Sequence, residues 1–199
     1  MRITPHRTQT PLALAILQLL HERDLHPYEM QQLIRDRYTD HVIKVRPGSL
    51  YHTVERLHRT GLVEPVETAR AGRRPERTVY AITDTGRDDF ADNLRDLVRY
   101  PEDEHPPFAA TVVMLSTLGA DVVAELLDQR TVSIEAAVAA NDQVLASLTK
   151  QGVPRAHTMV IEYTQAVRRA ELAWVRELID DIRSGALAWT GQAGKEQAT

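Results

Sequence analysis

Along the chain, apolar positions recur at helical spacing, with a single interruption by strand-like alternation. Thr10-Pro11 is a cap followed by a residue preset for a first helical turn, and Leu12, Ile16, Leu19 and Leu20 form an apolar stripe behind it that ends near Asp24. Pro27 opens a second helix whose apolar side is Met30, Leu33 and Ile34, and residues 39–46 link it to a third over 47–60. There, Leu50, Val54 and Leu57 stand at i, i+4 and i+7, while Ser49, His52, Thr53, Arg56 and Thr60 group on a polar side. Gly61 is the residue type that leaves a helix, and Leu62-Val63 starts an extended run. Two strand-like runs, 62–67 and 77–82, flank a segment with Gly72, Arg70, Arg73 and Arg74, so the pattern predicts a hairpin with a basic tip over 68–77. Thr83 or Thr85 then caps a helix running to about Arg99, with Phe90, Leu94, Leu97 and Val98 as its expected stripe.

Residues 101–107 carry prolines and acids in the proportions of a linker, which divides a first domain, 1–100, from a second, 108–184. Within the first, residues 1–9 read as a flexible arm. The segment 108–118 has little polar surface and is expected to be buried. From Val122 to Lys150 a heptad fits, with Leu127, Ile134, Asn141 and Leu148 every seven residues and Thr131, Val138 and Leu145 between them. A turn at Gly152-Val153-Pro154 leads to a last helix that aligns Val160, Tyr163, Val167, Ala170, Trp174, Leu178 and Ile182. Such a helical hairpin has an apolar seam and little else to cover it, so a homodimer is expected. Its interface would draw on Leu127, Ile134, Val138, Asn141, Leu145, Val160, Val167, Trp174 and Leu178. The tail, 185–199, has the composition of a disordered end.

Composition changes this picture at one point. The 199 residues hold no cysteine, which removes disulfides, thiol nucleophiles and thiolate metal sites. No apolar run is long enough to span a membrane, and the N-terminal ten residues lack a secretory apolar core, so a cytoplasmic protein is expected. The net charge of −4 hides a split: residues 1–87 carry 14 basic against 10 acidic side chains, and the remaining 10 and 18 lie beyond. Residues 1–87 are thus positive by 4 and residues 88–199 negative by 8, the asymmetry of a chain with one part facing a polyanion.

On that basis the third helix reads as a DNA-recognition helix and the hairpin as its wing, an N-terminal winged helix-turn-helix. Its expected contacts are Ser49, Tyr51, His52, Thr53 and Arg56 on the helix, Lys44 and Arg46 just before it, and Arg70, Arg73, Arg74 and Arg77 in the hairpin. Hydroxyls, imidazole and guanidinium are the groups that reach base edges and phosphates. Solvated surface charge is the competing reading for the arginine cluster. The fold class is therefore mainly α with a small β-hairpin, the winged helix being followed by a helical, coiled-coil-like dimerisation domain.

These residues also carry a resemblance. Leu50-Tyr51, Leu57 with Gly61-Leu62, Gly72-Arg73-Arg74-Pro75, and Tyr80-Ala81-Ile82-Thr83 with Gly86 resemble the motifs of the PadR family of bacterial transcriptional regulators over about residues 10–87. His52 replaces the proline usual in that family, and one extra arginine separates Gly72 from Pro75. In length and layout the chain is similar to the subgroup with a long C-terminal domain. The resemblance implies a dimeric repressor that binds an inverted-repeat operator in double-stranded DNA. It also implies a small aromatic effector as an alternative reading; the candidate liners in this sequence, Tyr100, Phe108, Met114, Tyr163 and Trp174, are more simply read as core. A protein–protein adaptor using the same winged helix is the remaining alternative. No enzymatic constellation is present: His21-Glu22 lacks a second histidine at metalloprotease spacing, and the adjacent acids Asp88-Asp89 and Asp180-Asp181 point to different sides of their helices. Neither a metal nor a cofactor is expected.

Overall fold

The computed structural model describes residues 8–37, 39, 42–43, 45–46, 48–69, 77–101 and 103–189. The chain forms two compact units that divide between Asp103 and Glu104.

The first unit runs α1 (Pro11–Glu22), α2 (Pro27–Asp36), α3 (Ser49–Arg59), β1 (Val63–Ala69), β2 (Arg77–Ile82) and α4 (Asp84–Arg99). Thr10 Oγ1 caps α1 by accepting from Ala13 N at 3.3 Å. At α2 the cap is His26, whose Nδ1 accepts from Tyr28 N at 3.1 Å while Glu29 accepts from His26 N at 3.0 Å. The reciprocal pair satisfies amides that a helix start leaves open. Ile16, Leu17, Leu20, Leu25, Met30, Leu50, Val54, Leu57 and Val63 are all fully buried and form one cluster between α1, α2 and α3, each large side chain contributing about 1.5–3 kcal/mol of transfer free energy.

β1 and β2 pair antiparallel from Val63↔Ile82 to Ala69↔Arg77, with a bulge between Pro65 and Glu67. Leu25 exchanges both backbone bonds with Tyr80, at 3.1 and 3.0 Å, which moors the hairpin to the α1–α2 connection. The exit of α3 and the entry of α4 share one knot. Gly61, at φ +74°, ends α3, and Leu62 N donates to Leu57 O at 3.0 Å. Thr83 Oγ1 donates to Gly61 O at 2.7 Å and accepts from Gly86 N at 3.0 Å. At Gly86 a Cβ would sit 2.1 Å from the Leu62 carbonyl oxygen, so only glycine lets α4 approach this closely.

Two expectations for this unit change. Gln9, read as the end of a flexible arm, is 8% exposed and bonded within the fold. On α4 the buried positions are Gly86 and Asn93, while Leu94 and Val98 are exposed. Periodicity locates an apolar face but not a polar residue held inside by a specific acceptor.

The second unit comprises α5 (Pro107–Val112), a 3-10 turn at Leu115–Thr117, α6 (Ala120–Lys150), a 3-10 turn at Arg155–His157 and α7 (Met159–Ser184). α6 and α7 pair as an antiparallel hairpin around Val123, Leu127, Val175 and Ile179. Charged rungs cross between the helices: Asp128–Arg183, Arg130–Glu171, Glu135–Arg176 and Asp142–Arg169. Among the described residues, no helix is long and apolar enough to cross a membrane.

Three corrections follow here. Leu127 and Ile134, assigned to a dimer seam, are buried within the single chain at 3% and 9% exposure, because α7 already covers that side of α6. On α7 the buried positions are Gln165, Leu172, Val175 and Ile179; of the expected stripe, Leu178 and Ile182 pack against that core, and Val160, Tyr163, Val167 and Trp174 are exposed. The apolar segment 108–118 is not buried either; Val113 is 82% exposed and Met114 57%. Finally, residues 185–189 are not a loose tail: Leu187 N donates to Asp181 O at 3.1 Å, and Trp189 Nε1 donates to Leu118 O at 2.8 Å.

Candidate nucleic-acid interface

α3 starts at Gly48, whose φ of +80° turns the chain into the helix. Ser49 Oγ donates to Arg46 O at 2.7 Å and accepts from Arg46 N at 3.1 Å, so its hydroxyl shapes the turn. Thr53 Oγ1 donates back to Ser49 O at 2.7 Å, and Thr60 Oγ1 does the same to Arg56 O and Leu57 O. Arg56 is half-buried, and its Nη1 donates to Gln9 Oε1 at 3.0 Å. Three of the five expected helix contacts, Ser49, Thr53 and Arg56, are thus engaged inside the fold.

The remaining two, Tyr51 and His52, are exposed, Tyr51 at 49%. They share the outer face with Glu55 and Arg59, also exposed, which grouping outward from Ser49 leaves out. Arg59 stands opposite the Leu50–Val54–Leu57 stripe, and that angular position was the signal available in the sequence. His58 is committed elsewhere: its Nδ1 lies 3.1 Å from Val63 O, and its ring meets Tyr80 edge-on at 6.1 Å. This contact ties the end of α3 to the root of the hairpin. Arg56, His58 and Arg59 all lie in the last turn of α3, where positive charge complements the helix dipole.

Of the basic candidates around the helix, Arg46 is exposed. Lys44 and the hairpin tip with Arg70, Arg73 and Arg74 lie outside the described residues, and Arg77 opens β2 with only its backbone described. The structure therefore brings Tyr51, His52, Glu55 and Arg59 onto one solvent face beside a hairpin anchored at His58 and Leu25. Such a face offers donors, an acceptor and an aromatic edge to a groove, with no catalytic constellation. Among the described residues no group of three His, Asp or Glu is placed to hold a metal ion.

Among the described residues of this unit the displaced titrations are those of His21, Glu22 and Arg37, all away from α3. The bidentate hydrogen bond from Arg37, at 2.6 and 2.7 Å, holds the Glu22 carboxyl below its ordinary range and clamps the ends of α1 and α2 together. His21 is lowered first by desolvation and then by the neighbouring Arg87.

The effector candidates are dispersed. Tyr100 belongs to the first unit and is exposed. In the second unit Phe108 and Trp174 meet edge-on at 6.2 Å, and Arg130 stacks over Phe108 at 3.5 Å. Phe108 lines an open cavity of about 620 Å³ together with Leu115, Val123, Leu127, Arg130 and Glu171. Trp174 lines a smaller one, about 230 Å³, with Trp189. Met114 and Tyr163 line neither.

Comparison with known proteins follows this division. Residues 16–92 match the model of the transcriptional regulator PadR-like family. Among solved structures, Bacillus subtilis PadR in complex with operator DNA is similar over 86% of this chain and 98% of its own, at 19% identity and a TM-score of 0.65. The same protein in complex with p-coumaric acid gives 18% identity, the same coverage and a TM-score of 0.64. The smu.1604c protein from Streptococcus mutans covers 85% of this chain and 98% of its own, at 20% identity and a TM-score of 0.59. At these identities the likeness concerns the fold. No curated protein matches the sequence.

Proposed function

We propose that this chain, which through residues 16–92 belongs to the PadR-like family of transcriptional regulators, is a homodimeric repressor that binds an inverted-repeat operator. In this reading α3 enters the major groove and the hairpin, residues 68–77, grips the flanking backbone. Its role is recognition rather than catalysis. The observation that carries the reading is the outer face of α3, where Tyr51, His52, Glu55 and Arg59 are exposed and free of bonds to other described residues, next to a hairpin whose sequence concentrates arginine.

Self-association is supported by the exposed stripe Val160, Tyr163, Val167 and Trp174 on α7, an apolar surface of the kind that marks an interface. Two copies would present two α3 helices to two half-sites, as small DNA-binding domains require for useful affinity.

The test is enrichment of duplexes from a random 30-bp pool, followed by titration against salt. The expected outcome is a palindromic site whose affinity falls steeply with salt and drops when Arg59 or Arg73 becomes alanine. If no sequence is enriched at low salt, the reading fails; binding that ignores salt would favour the protein–protein adaptor.

A second reading, release by a small aromatic effector, is favoured by the cavity beside Phe108 and Arg130, since a ring and a guanidinium are the groups that receive an aromatic acid. Calorimetric titration with p-coumaric acid, the ligand of the similar Bacillus subtilis structure, tests it. No heat above dilution for the wild-type chain would remove this effector.

A further inference from the structure

Arg56 sits on the polar side of α3, where an arginine is ordinarily taken as a phosphate or base ligand, yet its surroundings are those of a structural strut. Nη1 donates to Gln9 Oε1 at 3.0 Å, and Nη2 is buried with no acceptor, so that nitrogen is not presented to solvent. Gln9 passes the connection on. Its backbone N donates to Asn93 Oδ1 at 2.8 Å, and its Nε2 donates to Asp89 Oδ2 at 3.0 Å. Asn93 in turn donates to Asp89 O at 2.8 Å. Gln9 and Asn93 are 8% and 3% exposed, among the few buried polar residues of the protein.

The geometry explains why such a chain of bonds is useful. The buried residues of α3 are Leu50, Val54 and Leu57, the tie through His58 sits at its C-terminal end, and apolar packing is non-directional. A helix held by one stripe retains freedom to roll about its axis. Hydrogen bonds are directional, and a strut from the flank of α3 through Gln9 to α4 opposes that roll. A few degrees of roll would displace Tyr51, His52 and Arg59 together.

We propose that Arg56 is a positioning residue rather than a DNA ligand, and that with Gln9 and Asn93 it sets the rotational angle of α3. The proposal deepens the DNA-binding reading and rests on it for its affinity readout. With a duplex selected by the wild-type protein, Arg56→Ala, Gln9→Ala and Asn93→Ala are each expected to bind about tenfold more weakly. The slope of affinity against salt stays at the wild-type value. The Arg56→Ala/Gln9→Ala double variant should lose no more than Arg56→Ala alone, since coupled residues are not additive.

Two results would overturn the proposal. One is a salt slope shallower by about 0.9 for each Arg56 removed, the sign of a lost phosphate contact. The other is wild-type binding by both Gln9→Ala and Asn93→Ala. Should the wild-type chain select no duplex, the DNA reading fails, and amide hydrogen exchange of the full chain decides the strut independently. Exchange across 49–59 that is faster in Arg56→Ala than in wild type, with 27–36 unchanged, sustains it; equal exchange across α3 refutes it.

Discussion

The two units solve the problem of covering apolar surface in opposite ways. The first closes on itself: α1, α2 and α3 bury a dense cluster in which Ile16, Leu17 and Leu57 are fully sequestered, and backbone meets backbone at Gly86 and Leu62. The second is a two-helix hairpin with a narrow core. Its exposed large apolar residues include Val113, Val132, Tyr163 and Val167. A unit that finishes its own core can hold a recognition surface rigid. The second leaves apolar side chains exposed, and charged rungs cross between its two helices alongside the apolar contacts.

That contrast can be broken most forcefully at Leu57. Leu57→Ala empties a fully buried site and is expected to cost about 2–5 kcal/mol, visible as an earlier calorimetric transition for the first unit with self-association unchanged. Val167→Glu places a charge in the exposed stripe of α7. Sedimentation should show the proposed dimer weakened about a hundredfold, roughly 2.7 kcal/mol, with the transition of the first unit in place. A dimer of wild-type strength in this variant would remove the α7 stripe from the interface.

Smaller effects sharpen the picture. Arg183→Gln removes one exposed rung to Asp128 and should cost about 0.2–1 kcal/mol, a loss that shrinks in high salt. The smallest effect is one of pH. The Glu22 carboxyl titrates below its ordinary value of 4.5 in the fold because Arg37 binds its charged form. Its contribution is therefore complete above that ordinary value and is lost as pH falls through the lowered one. Glu22→Gln should lower thermal stability slightly at neutral pH, flatten the acid limb, and leave stability at the acid end of that limb nearly unchanged.

Much of this architecture was legible because its signals are local. Thr10-Pro11, Gly61 and Thr83 mark ends through groups within a turn of themselves, and the strand runs flank an arginine-rich tip containing Gly72. What escaped was rotational and long-range. Ser49, Thr53 and Arg56 look like one outward face in the sequence, but two bond back to the backbone and the third reaches residue 9. On α7, Val160–Tyr163–Val167–Trp174 lies beside a second stripe through Leu172, Val175 and Ile179. Spacing reveals both, and only three-dimensional packing decides which one α6 covers. The heptad of α6 was real as a period, yet Leu127 and Ile134 spend it within the chain. His26 escaped for another reason: imidazole caps helices rarely, so its role appears only when Nδ1 is seen to face Tyr28 N.

The placement of the two tryptophans has an optical consequence. Trp174 and Trp189 both belong to the second unit, and Trp189 is held by a hydrogen bond to the Leu118 carbonyl. Tryptophan emission, excited at wavelengths where tyrosine does not absorb, is therefore a label for one unit only, installed without chemistry. Unfolding confined to the first unit leaves it unchanged, so under the proposed binding of a duplex through α3 a shift in tryptophan emission on adding duplex reports a change in the second unit.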